Sequence, residues 1–231
     1  MKQTKTPIRL FSGRIFHSLK TRVLILPLVF LLSSCIGANL DIVLNQDGSG
    51  LITLEYQISK SLDSLGKLDG NERWGTIPVG EADFERTMDR LPEMKLLSFS
   101  SKDDGKNIII DAKMQFSSLK GLLAFLDATG RRSTLSVNAG SGRLLLTLSE
   151  GAEKTDANLN RLLAAISENY SIRMSMTFPG EGSLALTDNK GNPLKTTPGV
   201  EIQPAGKKVS CSFPLYDVIT SADGINVEFR W

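Results

Sequence analysis

The sequence predicts an α+β domain: a mostly antiparallel sheet built from β-hairpins followed by helices, with the helices packed on one face. Three observations predict it. Apolar runs come in pairs around Asp/Gly-rich turns, a stripe of helical spacing follows each pair, and the segment 171–231 returns to strand-like runs.

Taken in order, 40–44 and 51–58 flank Asp47-Gly48-Ser49-Gly50, where Asp and Gly tolerate the positive φ of a tight turn. A short helical stretch, 60–68, is punctuated by Gly66, and 83–91 carries Phe84, Met88 and Leu91 at helical spacing. The second hairpin joins 95–101 to 107–116 through Asp103-Asp104-Gly105-Lys106. Ser117 or Ser118 then caps a helix bearing Leu119, Leu122, Leu123 and Leu126. The third joins 133–137 to 143–149 through Ala139-Gly140-Ser141-Gly142, and Thr155 or Asp156 caps a helix bearing Leu159, Leu162, Leu163, Ile166 and Tyr170. Beyond it, 172–178 ends at Pro179-Gly180 and 183–186 turns at 188–193. Then 200–203 pairs with 207–213, 214–220 makes one helical turn, and 225–231 is the last strand. The units share pattern and turn position, not residues, so they are no sequence repeat.

Ahead of this domain, residues 1–34 hold six basic residues and no acid, and include the ten-residue apolar run 23–32. That run is too short to span a bilayer as a helix, which needs about 20 residues. A basic flank, an apolar run and small residues in this order make an export signal. Leu32-Ser33-Ser34-Cys35 has the form of a bacterial lipobox, in which the thiol of Cys35 takes a diacylglyceryl group before cleavage on its N-terminal side. Two or three acyl chains, at about 0.8 kcal/mol per buried CH₂, give lasting attachment to a membrane. The expected organisation is therefore a removed signal at 1–34, a lipidated N-terminus and tether at 35–39, and a single domain at 40–231. By resemblance to known bacterial sorting rules, Ile36 and Gly37 in place of Asp mildly favour an outer membrane, with the leaflet left open.

Removing the signal leaves 21 basic against 25 acidic residues and no histidine, since His17 is the only one. A mildly acidic domain has no charge excess for nucleic acid, and catalysis or metal ligation through imidazole is excluded. The remaining motifs read as structure. The Gly-Ser-Gly stretches lead into strands rather than the helix N-terminus that a phosphate loop needs. Asp103-Asp104 and Asp188-Asn189 lack the alternating donors and terminal Glu of a calcium loop. Arg131-Arg132 reads as a solvated edge, Cys211 as a small apolar side chain on a strand, and Trp231 as packing. In the irregular stretch 69–80, Trp74 is the candidate contact for a ligand or partner.

The lipobox Cys35, the run Leu40-Asp41-Ile42-Val43-Leu44-Asn45-Gln46-Asp47-Gly48-Ser49-Gly50, Thr177-Phe178-Pro179-Gly180 and a final strand ending on Trp231 together resemble the LppM-type lipoprotein domain family. The resemblance implies an α+β envelope scaffold with lipid or glycolipid binding. Some members carry a C-terminal membrane helix that this sequence lacks, and the resemblance transfers no ligand-contacting residue. The expected function is a non-enzymatic envelope lipoprotein without cofactor or metal, holding a lipid or other hydrophobic ligand in a groove between sheet and helices. The alternative is a structural or assembly lipoprotein that binds an envelope protein through a sheet edge or the 69–80 loop.

Overall fold

A computed structural model describes residues 37–60, 80–127, 129–138, 141–151, 157–167, 170–194 and 198–231. The strands are β1 (Ala38–Leu44), β2 (Gly50–Ser59), β3 (Met94–Asp103), β4 (Asn107–Phe116) and β5 (Ser133–Asn138). They continue as β6 (Ser141–Ser149), β7 (Ser171–Thr187), β8 (Glu201–Gln203), β9 (Ala205–Pro214) and β10 (Ile225–Arg230). The helices are α1 (Glu81–Asp89), α2 (Leu119–Leu126), α3 (Ala157–Ser167) and α4 (Leu215–Thr220).

All ten strands join one curled sheet in the order β3-β4-β2-β1-β7-β10-β6-β5, with β9 also on β7 and β8 on β9. This corrects the predicted α+β class. The fold is mostly β, and among the described residues its four helices are only six to eleven residues long. The reason is the reach of the helical stripes. α2 fully buries a single large apolar side chain, Leu122, and α1 buries Phe84 and Met88, so these two helices each cover a patch rather than a face. The sheet instead curls so that its inner face packs largely on itself. Ile42, Ile52, Ile110, Met114, Leu144 and Phe213 meet there, each fully removed from solvent. The strands alternate inward apolar and outward polar residues, as a sheet with one wet face requires.

The sheet is also mixed, because β1 runs parallel to β7, Ala38 opposite Ile172 through Val43 opposite Thr177. A further correction concerns Pro179-Gly180. The strand predicted to end there continues, and β7 runs for 17 residues. Its first half pairs with β1, and its second half pairs with β10, from Ser183 opposite Arg230 to Thr187 opposite Asn226. β9 follows both halves on the opposite edge, to Ser171–Thr177 and again to Gly182–Ser183. So β1 and β10 lie on the same edge of β7 and approach each other end to end. Residues 178–182 lie in the gap between those two partners. A proline, which has no N–H for a ladder, is tolerated at such an unpaired position.

Candidate functional site

The gap between the ends of β1 and β10 forms a slot of about 640 Å³. The β7 bend, Pro179 to Glu181, forms one wall. The β1–β2 turn, the start of α2, the end of β5 and the final residue Trp231 form the others. Each wall is fixed by local chemistry. In the β1–β2 turn, the Asn45 N–H donates to the Ser49 carbonyl at 2.8 Å, and Gly48 takes a φ of +83°. Asp47 Oδ1 accepts from the backbone N–H and hydroxyl of Ser49 at 3.0 and 2.6 Å, and these bonds hold its carboxyl below the usual range. α2 is set by Ser118, whose hydroxyl accepts from the Gly121 N–H at 3.2 Å and donates to Glu93 Oε2 at 2.7 Å. That cap brings Leu119 over the turn, where it would be in van der Waals contact with any side chain at Gly48.

The opposite wall is aromatic. Trp231 is tied to β6 by two backbone bonds with Gly142, at 2.8 and 3.0 Å, and its indole stacks on Phe178. Phe178 is buried, whereas Trp231 is partly exposed into the slot. Leu44, Leu119, Val137 and Pro179 complete an apolar lining, and Asp47 and Glu181 stand at the rim. The arrangement can hold an apolar group against an indole, with acids placed to meet a cation or hydrogen-bond donor. Its volume falls within the roughly 300–1,000 Å³ of small-ligand sites. A second hollow, of about 510 Å³, lies between α1 and β3, where Glu81, Glu85 and Asp89 surround Met88 and Leu96.

Cys35 and Trp74 lie outside the described residues, as do most of the 69–80 loop, the stretch 61–68, the Thr155 and Asp156 cap and Gly140. Trp231, read from the sequence as packing, packs and also lines the slot. Cys211 is buried on β9 opposite Met174, and burial pushes its thiol up to about 12. Arg132 pairs with Glu150 at 3.2 Å. Asp103, Asp104 and Asp188 accept backbone N–H groups of their own turns.

Three polar clusters were not legible in the sequence. On β10, Glu228 has a side chain only 5% exposed and pairs with Arg143 at 2.7 Å and with Arg230. Asp41 on β1 accepts from Ser175 on β7 and pairs with Lys208 on β9 at 3.1 Å. Asp127, after α2, gathers donors from Thr129, Arg132 and Ser133. Among the described residues, no group of three or more His, Cys, Asp or Glu can hold a metal, and no helix is long and apolar enough to cross a membrane. Comparisons with family models, curated proteins and solved structures find no match to this chain.

Proposed function

We propose that the protein is a non-enzymatic lipoprotein of the bacterial envelope, anchored through Cys35, which holds a hydrophobic ligand in the slot at the β7 bend. The observation that carries the ligand part is the slot itself, where a partly exposed indole faces Leu44, Leu119, Val137 and Pro179. A sheet that fills its inner face with large side chains elsewhere leaves apolar surface uncovered at this break. The leader and lipobox support the anchor, and membership of an LppM-type family belongs to the same proposal. In a Trp74→Phe variant, Trp231 is the only indole. Titration with a long-chain monoacylglycerol, whose hydroxyls can donate to the rim acids, is expected to shift its emission to the blue and saturate, and native mass spectrometry is expected to find bound lipid. Unchanged emission together with a lipid-free mass would overturn this reading.

One observation favours a second reading, an assembly lipoprotein that binds an envelope protein. β5 is an outer strand of the sheet and pairs only with β6. Its six residues contain no charge and no proline, the usual devices that protect an edge, and Val137 is 54% exposed. An extended segment of a partner would add to such an edge. Photo-crosslinking from position 137 in cells distinguishes the two: a single protein adduct supports the assembly role, and lipid adducts support the ligand role.

A further inference from the structure

We propose that the end of the sheet bearing the β3–β4 turn rests on the phospholipid head groups of the anchoring bilayer, so that the slot opens away from that bilayer. The inference rests on the anchoring of Cys35 proposed above and adds an orientation to it.

The argument begins with covalent length. Two trans peptide steps separate Cys35 from Gly37, so their Cα atoms are at most about 7.6 Å apart. Gly37 directly precedes β1, and its carbonyl accepts from the Gln57 N–H at 3.3 Å. β1 begins with Ala38 opposite Tyr56, and β2 runs three residues further, to Ser59 opposite Asn107 of β4. The Lys60 N–H then donates to the Lys106 carbonyl at 2.9 Å. At about 3.3 Å per residue, the β3–β4 turn stands about 10 Å beyond the start of β1 along the strands. It lies two strands from β1, or about 10 Å sideways. The tether is thus too short to lift the domain clear, and the turn protrudes about as far as the tether can reach. A bilayer that holds acyl chains on Cys35 meets the turn.

The chemistry of this end suits that contact. Among the described residues, the turn and its flanks carry Lys60, Lys102 and Lys106 against Asp103 and Asp104, and the two acids are already engaged. Asp103 pairs with Lys60 and accepts from the Gly105 N–H at 2.7 Å, while Asp104 accepts from the N–H groups of Lys106 and Asn107 at 2.9 and 2.6 Å. Lys102 and Lys106 are exposed, as cations that meet phosphate head groups must be. The slot lies at the other end of β1, where Leu44 is six residues from Ala38, about 20 Å along the strand. A ligand therefore reaches it from the side remote from the anchoring membrane.

The test uses the full lipidated protein in vesicles of phosphatidylcholine and phosphatidylglycerol, spin-labelled at Lys106→Cys or Gln46→Cys. Cys35 is then acylated and Cys211 is buried, so the label goes to the introduced thiol. Collisional relaxation should show the label at 106 several-fold less accessible to a water-soluble nickel complex than the label at 46. Equal accessibility, or the reverse order, in protein that floats with the vesicles overturns the orientation and leaves the anchor standing. Protein that carries no acyl mass on Cys35 and does not float overturns both.

Discussion

The indole of Trp231 stacks on the ring of Phe178 with centroids 5.8 Å apart and planes 20° apart, and each ring is met by a glycine. A Cβ at Gly182 would lie 2.0 Å from the Phe178 ring, and one at Gly142 would lie 2.1 Å from the Trp231 indole. The bend of β7 and the end of β10 are therefore locked by one aromatic pair, seated where the backbone carries no side chains.

That seat makes a stability prediction. Gly142→Ala and Gly182→Ala should each cost about 1–3 kcal/mol, the range for overpacking a filled site. Phe178→Ala should cost about 3–5 kcal/mol, because the ring is buried and neighbouring strands hold the cavity open. Urea unfolding of the 37–231 domain measures both. Neutral glycine variants would mean that the rings can move aside.

Glu228 gives a prediction with an asymmetry. Its carboxylate is held below the usual range, first by the hydrogen bond from Arg143, while the side chains of Arg143 and Arg230 are 53% and 61% exposed. Removing an arginine leaves a buried acid with one partner fewer, whereas removing the acid returns two arginines to water. Arg143→Met should therefore cost about 1–3 kcal/mol. Glu228→Gln, which keeps the shape and leaves no buried charge, should cost less. The order of the two denaturation midpoints is the check.

These relationships explain what could be read from the sequence. The hairpins around Asp47 and Asp103 were legible because turn chemistry and alternation are local. The pairing of β1 with β7 was not: Asp41 and Ser175 meet across 134 positions, and no periodicity encodes a parallel partner. Pro179-Gly180 has the composition of a strand end, yet it marks a bend, because its missing N–H falls where β7 has exchanged β1 for β10. Glu228 sits at an outward position of an alternating strand, which reads as exposed, and the arginines that cover it come from β6 and from the end of its own strand. Of the slot, Asp47 reads from the sequence as a turn residue and Trp231 as packing, but nothing local tells that they share a cavity.

Cys211 supplies a probe of opening. Burial raises its thiol to about 12 and the side chain is 1% exposed, so the native protein should hold almost no thiolate. In the 37–231 domain, iodoacetamide should label it only as fast as β9 separates from β7 and β8, and denaturant should increase the rate steeply. Prompt stoichiometric labelling of the folded domain would contradict its placement between Met174 and Ile202.

Asp127 ties the chain between α2 and β5 to acid sensitivity. Its Oδ1 accepts from the hydroxyl and N–H of Thr129 at 2.7 and 3.0 Å, and its Oδ2 accepts from the N–H groups of Arg132 and Ser133. The Thr129 hydroxyl leads in lowering the folded pKa far below the ordinary aspartate value, and the backbone donors add to it against the opposing effect of burial. A depressed folded pKa contributes stability that is present above the unfolded value of about 3.9 and is lost as pH falls through the folded one. Asp127→Asn should therefore lower the melting temperature of the domain at neutral pH, with the gap to the parent protein narrowing once pH drops below about 4. Melting curves across that range decide it. A gap independent of pH would assign the loss to shape alone and remove the charge from the account of this loop.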